Sequence, residues 1–137
     1  MRWLLQSLGG DSRGAAAIEF AIVGPLLFTF LLGIVEMGRM FYVRESLEYA
    51  TEQAARYYMV NPSATQSAVT ATLRNAMAGG MGSAIPTPQY TDVTSCNGNS
   101  AVTCTTITAT YTFVSVASFL NLGSPVLRAT AQAVRVQ

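Results

Sequence analysis

The chain lacks histidine and lysine and carries little charge of either sign. Its eight basic residues are all arginine, and 11% of its 137 residues are charged, against about a quarter in an average soluble domain. Without histidine, a serine–histidine triad and the commonest transition-metal ligand are both excluded. Seven acidic residues nearly balance the arginines, so we expect no basic field that would bind nucleic acid.

Cysteine is also scarce, since Cys96 and Cys104 are the only two. Two thiols with no other ligand nearby do not close a structural zinc site. The glycines at residues 79–82 follow a predicted helix and lack the Lys-Ser/Thr ending of a phosphate loop. We therefore predict no catalytic set, no cofactor and no metal ion, and a hydrolase is the least favoured function.

The acidic residues Glu45, Glu48 and Glu52 stand at helical spacing and could be taken for a metal site. Arg44 and Arg56 are interleaved with them, which is typical of a solvated helix face. We expect a favourable pair between Glu52 and Arg56, four residues apart.

The strongest positive feature is an apolar run over residues 15–35. It is interrupted only by Glu19 and Thr29 among its 21 residues, and about 20 apolar residues are enough to cross a bilayer as a helix. A buried helix of a soluble core is the alternative, although so apolar a run rarely opens a small soluble domain. The sequence predicts a transmembrane helix over residues 15–36.

Flanking arginines set the expected orientation of this helix. Arg2 and Arg13 precede it, whereas Arg39 and Arg44 follow it and oppose them. Because the first helix usually dominates the positive-inside rule, we predict a cytoplasmic N-terminus and an extracytoplasmic domain over residues 37–137.

The helical pattern continues beyond the apolar run. No glycine or proline falls between Arg39 and Val60, which predicts one helix over residues 15–58, roughly 65 Å long. A one-sided apolar seam with spacings of three and four consists of Met40, Val43, Leu47, Ala50, Ala54 and Tyr57. Pro25, after Gly24, removes one helical hydrogen bond, so we expect a kink or local melting there.

The rest of the chain predicts a second helix and three strands. Asn61 or Ser63 would cap the helix, which spans residues 63–78 with Val69, Leu73 and Met77 on one side. A loop with Pro86 and Pro88 follows. Alternating, threonine-rich patterns predict strands over residues 89–95, 102–116 and 126–136, with a turn at residues 97–100. The predicted class is α+β, with an antiparallel sheet packed on the outer half of the long helix.

Cys96 and Cys104 flank the predicted turn. In an extracytoplasmic domain we expect them to form a disulfide, and two free thiols are the alternative. Their spacing is not Cys-x-x-Cys, which disfavours a redox-active pair.

Glu19 is costly in an apolar helix. A carboxylate at mid-membrane costs on the order of 2.5–3.5 kcal/mol, and less near the interface. One interpretation is that Glu19 merely reaches the headgroups, one turn from the membrane edge. The functional interpretation requires a positive partner in or beside the bilayer.

The residues around Glu19 resemble a known processing site. The sequence Arg-Gly-Ala-Ala-Ala-Ile-Glu-Phe at residues 13–20 is similar to a prepilin peptidase site, which is cut after glycine and has glutamate at the fifth mature position. Residues 14–57 resemble the TadE-like family of minor pseudopilins from tight-adherence (Tad/Flp) pilus systems, in which an aromatic such as Phe20 follows the glutamate. The terminal VLRATAQAVRVQ weakly resembles the last strand of that family.

This resemblance implies a leader over residues 1–14, cleavage between Gly14 and Ala15, and assembly through Glu19 and Phe20. The implied partners are a prepilin peptidase, other pilin subunits, the Tad-type inner-membrane machinery and the lipid bilayer. The implied function is a pilin-like structural subunit that enters or primes an adhesive, type IV-like pilus at the cell surface. The alternative is a membrane-anchored extracytoplasmic binding or adhesion domain that is never cleaved and does not polymerise.

Overall fold

A computed structural model describes residues 12–98, 100–116 and 123–136. The chain divides into two compact units between Met37 and Gly38. The described elements are helices, short 3-10 turns and a three-stranded antiparallel sheet, so the predicted α+β class is confirmed.

Helix α1, Ser12–Val60, has 49 residues and contains Pro25. It begins three residues earlier than predicted, because the alanines after Gly14 are the best helix formers and no proline precedes them to stop the helix. The helix also continues through Pro25, where the hydroxyl of Thr29 donates a hydrogen bond of 2.8 Å to the Pro25 carbonyl. Local melting at Pro25 is therefore not observed, and the kink stays a prediction.

In the first unit, α1 exposes nearly all of its apolar side chains. Within the part of the chain that the structure describes, α1 is the one helix with the length and the apolar composition needed to cross a membrane. Only 6% of its 18-residue apolar window is buried. A core helix of a soluble protein would be mostly buried. The exposed large apolar residues of this unit are Ile18, Phe20, Ile22, Val23, Leu26, Leu27, Phe28, Phe30, Leu31, Leu32, Ile34, Val35 and Met37.

In the second unit, α1 buries the predicted seam. Val43, Leu47, Ala50 and Ala54 are buried, and Met40 and Tyr57 pack against them with partial exposure. The spacing of three and four residues places all six on one side of the helix, which explains why the sequence pattern identified them.

Helix α2, Gln66–Ala76, is shorter than predicted. Thr65 is its N-cap, and its hydroxyl accepts a hydrogen bond of 3.3 Å from the backbone N–H of Ala68. The predicted caps Asn61 and Ser63 were wrong, because Asn61 instead ends α1, where its side-chain amide donates to the carbonyl of Tyr57. The predicted apolar side was correct, since Val69, Leu73 and Met77 are buried.

The glycine-rich segment after α2 forms a 3-10 helix, Ala78–Ala84, where the sequence predicted only a loop. Gly79 and Gly80 have φ of 64° and 70°, a region that glycine adopts without strain. A Cβ at Gly82 would fall on the backbone carbonyl of Arg74. This close approach brings the segment against α2 and requires glycine at that position.

The sheet has the order β1-β2-β3, with antiparallel neighbours. Its strands are β1 Gln89–Thr94, β2 Val102–Thr112 and β3 Val126–Val136. β2 ends four residues before the predicted position, because its partner strand starts only after Pro125. Pro125 accepts a hydrogen bond of 2.9 Å from the N–H of Phe113 but has no N–H to extend the ladder.

One apolar core joins α1, α2 and the sheet inside the second unit. Leu47, Leu73 and Ile107 have no exposed surface. Alanines on the facing elements, at positions 50, 54, 109, 129 and 133, are also at most 4% exposed. Such small side chains allow the helix and the sheet to approach closely, as the alternation in β3 predicted.

Candidate functional site

The predicted cleavage site lies in the first turn of α1. Gly14 is exposed, and among the described residues no atom beyond its chain neighbours and the adjoining helix backbone lies within 4 Å of the position that a Cβ would take there. Ala15 is also exposed. The first four N–H groups of a helix have no intrahelical acceptor, so the first turn is the part of α1 that opens most easily.

Glu19 lies one helical turn after Ala15 and is exposed. The rise between them is roughly 6 Å, and residues four apart share a face of the helix. The Glu19 carboxylate therefore stands on the same side as the amine that cleavage would create at Ala15.

Phe20, Gly24 and Pro25 lie in the part of α1 that follows Glu19. A Cβ on Gly24 would lie 3.5 Å from two ring carbons of Phe20, so the ring covers the glycine. Pro25 has no N–H to donate to the carbonyl of Ala21. The structure thus brings the aromatic residue of the resemblance into contact with the glycine of the predicted kink.

The charged row on the outer part of α1 consists of solvent-exposed pairs. Arg44 Nε lies 2.9 Å from Glu48 Oε1, and Arg56 lies 3.8 Å from Glu52, all with side chains more than 40% exposed. Such surface pairs are worth about 0–1 kcal/mol each. Over residues 12–98, 100–116 and 123–136, no three His, Cys, Asp or Glu residues are grouped closely enough to hold a metal ion.

Cys96 and Cys104 form a disulfide with a Cα–Cα distance of 5.6 Å. Cys96 lies in a short 3-10 turn, Cys96–Gly98, after Ser95 with φ of 62°. Cys104 is buried on β2, opposite Val93 of β1 and Val134 of β3. The bridge therefore ties the β1–β2 connection to the middle strand, as the spacing around the turn predicted.

A cluster around Arg135 was not found from the sequence. Arg135 lies 3.6 Å from the Asp92 carboxylate and donates to the hydroxyl of Thr105 and to the carbonyl of Pro62, each at 3.1 Å. Its guanidinium also lies 4.2 Å from the centre of the Tyr58 ring. Thr105 in turn donates a short hydrogen bond to Asp92. The side chain of Arg135 is only 18% exposed.

The alternation of β3 carried a signal for this cluster. Arg135 lies on the same face of β3 as Leu127, Ala129 and Ala133, which faces the core. A charged side chain on that face requires an oppositely charged or hydrogen-bonding partner. Asp92 provides it from β1, two strands away. A cavity of about 480 Å³ opens beside this cluster and is lined by Pro62, Ser63, Asp92, Thr94, Thr103, Arg135 and Val136.

Tyr90 makes a second polar link between sheet and helix. Its hydroxyl donates to the carbonyl of Gln66 at 3.1 Å and lies 2.9 Å from the hydroxyl of Thr70. Burial raises the pKa of Tyr90 above its usual value near 10. The hydroxyl therefore remains protonated at neutral pH and continues to donate to α2.

Within the described residues, one N-terminal apolar helix is able to span a membrane, and a compact α+β unit follows it. These features are consistent with a single-pass membrane protein. The model of the TadE-like protein family matches residues 14–56, which confirms the predicted resemblance over that segment. The matched segment begins at Gly14 and contains Glu19, Phe20 and the apolar seam from Met40 to Ala54. No curated protein and no solved structure matches the chain.

Proposed function

We propose that this protein is a pilin-like structural subunit, a minor pseudopilin, that enters or primes a Tad/Flp pilus. The TadE-like match suggests association with the Tad pilus. The observation that carries the finer proposal is the coincidence of that match with an exposed apolar helix that holds Glu19 one turn after Gly14 and Ala15.

The membrane role follows from exposure. Thirteen large apolar side chains of the first unit face outward, and exposed apolar surface of this extent requires lipid or protein contact. We propose that α1 spans the bacterial inner membrane with its N-terminus in the cytoplasm, and that residues 38–137 lie outside. A disulfide in that part is consistent with an oxidising compartment.

Processing by a prepilin peptidase would act on the first turn of α1. A peptidase requires access to the bond between Gly14 and Ala15, and both residues are exposed. Cleavage leaves an ammonium group on Ala15. A neighbouring subunit's Glu19 would pair with that group, which compensates the cost of a carboxylate in the membrane.

The proposed role is structural and not enzymatic. The chain has no histidine, and its outer acids Glu48 and Glu52 are engaged with arginines in exposed ion pairs. These pairs suit a solvated helix surface better than acid–base chemistry.

Intact mass of the protein extracted from membranes of cells that contain the peptidase tests this function. We expect a chain that begins at Ala15. Gly14→Leu should block the cut, whereas Gly33→Leu should not, although in the described part of the chain a Cβ at either position meets nothing beyond the adjoining backbone within 4 Å. A wild-type chain that still begins at Met1 or Arg2 would contradict the pilin role.

The Arg135 cavity favours one alternative, a membrane-anchored extracytoplasmic binding domain that does not polymerise. The cavity combines a carboxylate, a guanidinium and several hydroxyls at one opening, which suits a small polar ligand. An uncleaved chain in the same mass measurement would support this alternative.

A further inference from the structure

One end of the sheet presents apolar side chains to its surroundings. Val114, Val116 and Val126 are 66%, 76% and 64% exposed. Val126 lies opposite Thr112 in the β2–β3 register, and the backbone N–H of Phe113 donates to Pro125 beside it. Val126 begins β3, and Val114 and Val116 follow the last residue of β2 by two and four residues; these three valines are called the valine edge below.

The surrounding sequence carries no charge. No Asp, Glu, Lys or Arg occurs over residues 93–127, although connections between strands are ordinarily solvent-exposed and polar. Residues 117–122 read Ala-Ser-Phe-Leu-Asn-Leu; they lie outside the described residues and form no part of the valine edge. Three exposed valines in a sequence without charge are unusual for a surface that faces only water.

The valine edge is attached to the start of the second unit. Phe113, the residue before Val114, lies with its ring centre 5.2 Å from the guanidinium carbon of Arg39. Arg39 lies four residues after Val35, where the apolar run ends. Phe41 and Tyr42 in the same turn of α1 are 51% and 58% exposed, and tyrosine is enriched at membrane–water interfaces.

We propose that the valine edge inserts into the headgroup–acyl boundary of the membrane that α1 spans, as a second membrane contact. The inference rests on the proposed transmembrane placement of α1. The lipid surface is the occupant that we infer, because Phe113 at the base of the valine edge lies against Arg39, four residues along the chain after the apolar run ends. Arg39 at its base and Arg128, two residues after Val126, carry the charge that suits lipid phosphates.

Tryptophan quenching by brominated lipid tests the proposal in the full chain. Every variant carries Trp3→Phe, which removes the only natural tryptophan. One tryptophan is then introduced at Val116, at Val136 or at Phe30, and the protein is reconstituted in vesicles of acyl-brominated phosphatidylcholine and phosphatidylglycerol. Val136 is the matched control, because it is 72% exposed and lies opposite Val102, roughly 30 Å along the sheet from Thr112.

We expect Val116→Trp to lose at least about half of its fluorescence in brominated vesicles, Phe30→Trp to lose more, and Val136→Trp to be unchanged. Quenching at Phe30 alone overturns the valine-edge proposal and leaves the transmembrane helix intact. Equal quenching at Val116 and Val136 also overturns it. A blue-shifted but unquenched Val116→Trp indicates a protein partner instead of lipid, which overturns it as well. No quenching at Phe30 refutes the membrane placement itself.

Discussion

Glu19 is the residue on which the proposed assembly depends. It is exposed on the part of α1 that belongs to the first unit, one turn after Ala15. The surrounding large side chains are apolar and also exposed. A carboxylate in that setting raises the free energy of the isolated subunit in the membrane and lowers that of any arrangement that supplies a cation. The same residue therefore disfavours storage as a monomer and favours assembly.

We predict that Glu19→Ala inserts and folds but fails to assemble. A charge-assisted hydrogen bond contributes about 1.5–3 kcal/mol, so loss of the pair should reduce the sheared surface fraction at least about tenfold. Glu19→Asp should be intermediate, since the charge remains but reaches one methylene less. The amounts of protein in membrane and sheared fractions are compared by immunoblot.

Two controls make the Glu19 comparison specific. Cleavage of each variant must be measured first, because the peptidase itself could recognise Glu19. Glu45→Ala removes an exposed carboxylate from the second unit of α1 and should assemble like the wild type. Equal surface amounts for all variants would rule out the pairing mechanism in favour of a glutamate that only reaches the headgroups.

Arg135 is a second single residue with a large effect, because its inward-facing charge links several elements of the second unit. Its contacts join β3 to β1 through Asp92, and to the end of α1 through Tyr58. The residues that meet there are far apart in the sequence, so local pattern does not identify them. Only the inward phase of Arg135 in β3 marks it in advance.

At the scale of elements, the β1–β2 connection is the part of the second unit with a covalent restraint. Its disulfide joins residues separated by eight positions, across a turn rich in Asn, Gly and Ser. In the chain-entropy model, a disulfide that closes a loop this short stabilises the folded state by about 2–3 kcal/mol, because closure restricts the unfolded chain.

We predict that reduction lowers the thermal midpoint of the second unit by on the order of 10–20 °C, from that free energy and the size of the unit. Circular dichroism of the detergent-solubilised protein with and without reductant measures it. The double variant Cys96→Ala/Cys104→Ala is the control and should melt at the lower temperature under both conditions. A wild type that melts at one temperature regardless of reductant would show that the bridge does not form or does not contribute.

Helix α1 continues through a residue pair that ordinarily interrupts helices. Gly24-Pro25 is a strong helix-interrupting pair in isolation, yet the helix continues across it. Proline removes one backbone hydrogen bond of the helix and does not affect the others. The Thr29 hydroxyl, one turn later, donates a further hydrogen bond to the Pro25 carbonyl. The apolar turns on both sides keep their own bonds, which explains why melting is not observed.

At the scale of the whole molecule, the proposed extracytoplasmic location of residues 38–137 is the property to test. Exposed arginines of the second unit, such as Arg44 and Arg56, are trypsin sites. We predict that trypsin added to spheroplasts degrades the second unit and that inverted membrane vesicles protect it. Immunoblotting with an antibody against residues 38–137 gives the result, with a cytoplasmic protein as the integrity control. Protection in spheroplasts and degradation in inverted vesicles would reverse the proposed orientation.

Much of the fold is a consequence of local patterns. The apolar seam at Val43 and Leu47, the buried side of α2 at Val69 and Leu73, and the strand β3 were all predicted from spacing alone. They were predictable because burial selects one face of a helix or strand, and that selection leaves a period of 3.6 or 2 in the sequence. Element ends were less predictable. Asn61, Ser63 and Thr65 are all residue types that cap helices, so local pattern did not choose among them, and Pro125 ends the β2–β3 ladder through Phe113, which lies 12 residues away.

The candidate site divides in the same way. Gly14, Ala15, Glu19 and Phe20 were identified from their order in the sequence, and the family match over residues 14–56 agrees with that resemblance. Their roles in cleavage and assembly stay predictions, because those roles depend on a peptidase and on neighbouring subunits.

The sequence by itself determined the apolar helix, the α+β class and the turn that brings the two cysteines together. These features depend on residues that are close along the chain, where composition and period act directly. Only the tertiary structure decided that Arg135 meets Asp92 and Tyr58, and that Phe113 lies against Arg39 so that the valine edge stands beside the start of the second unit. Those contacts join residues between 43 and 77 positions apart, and such pairs are fixed by the packing of the whole core and not by any local preference.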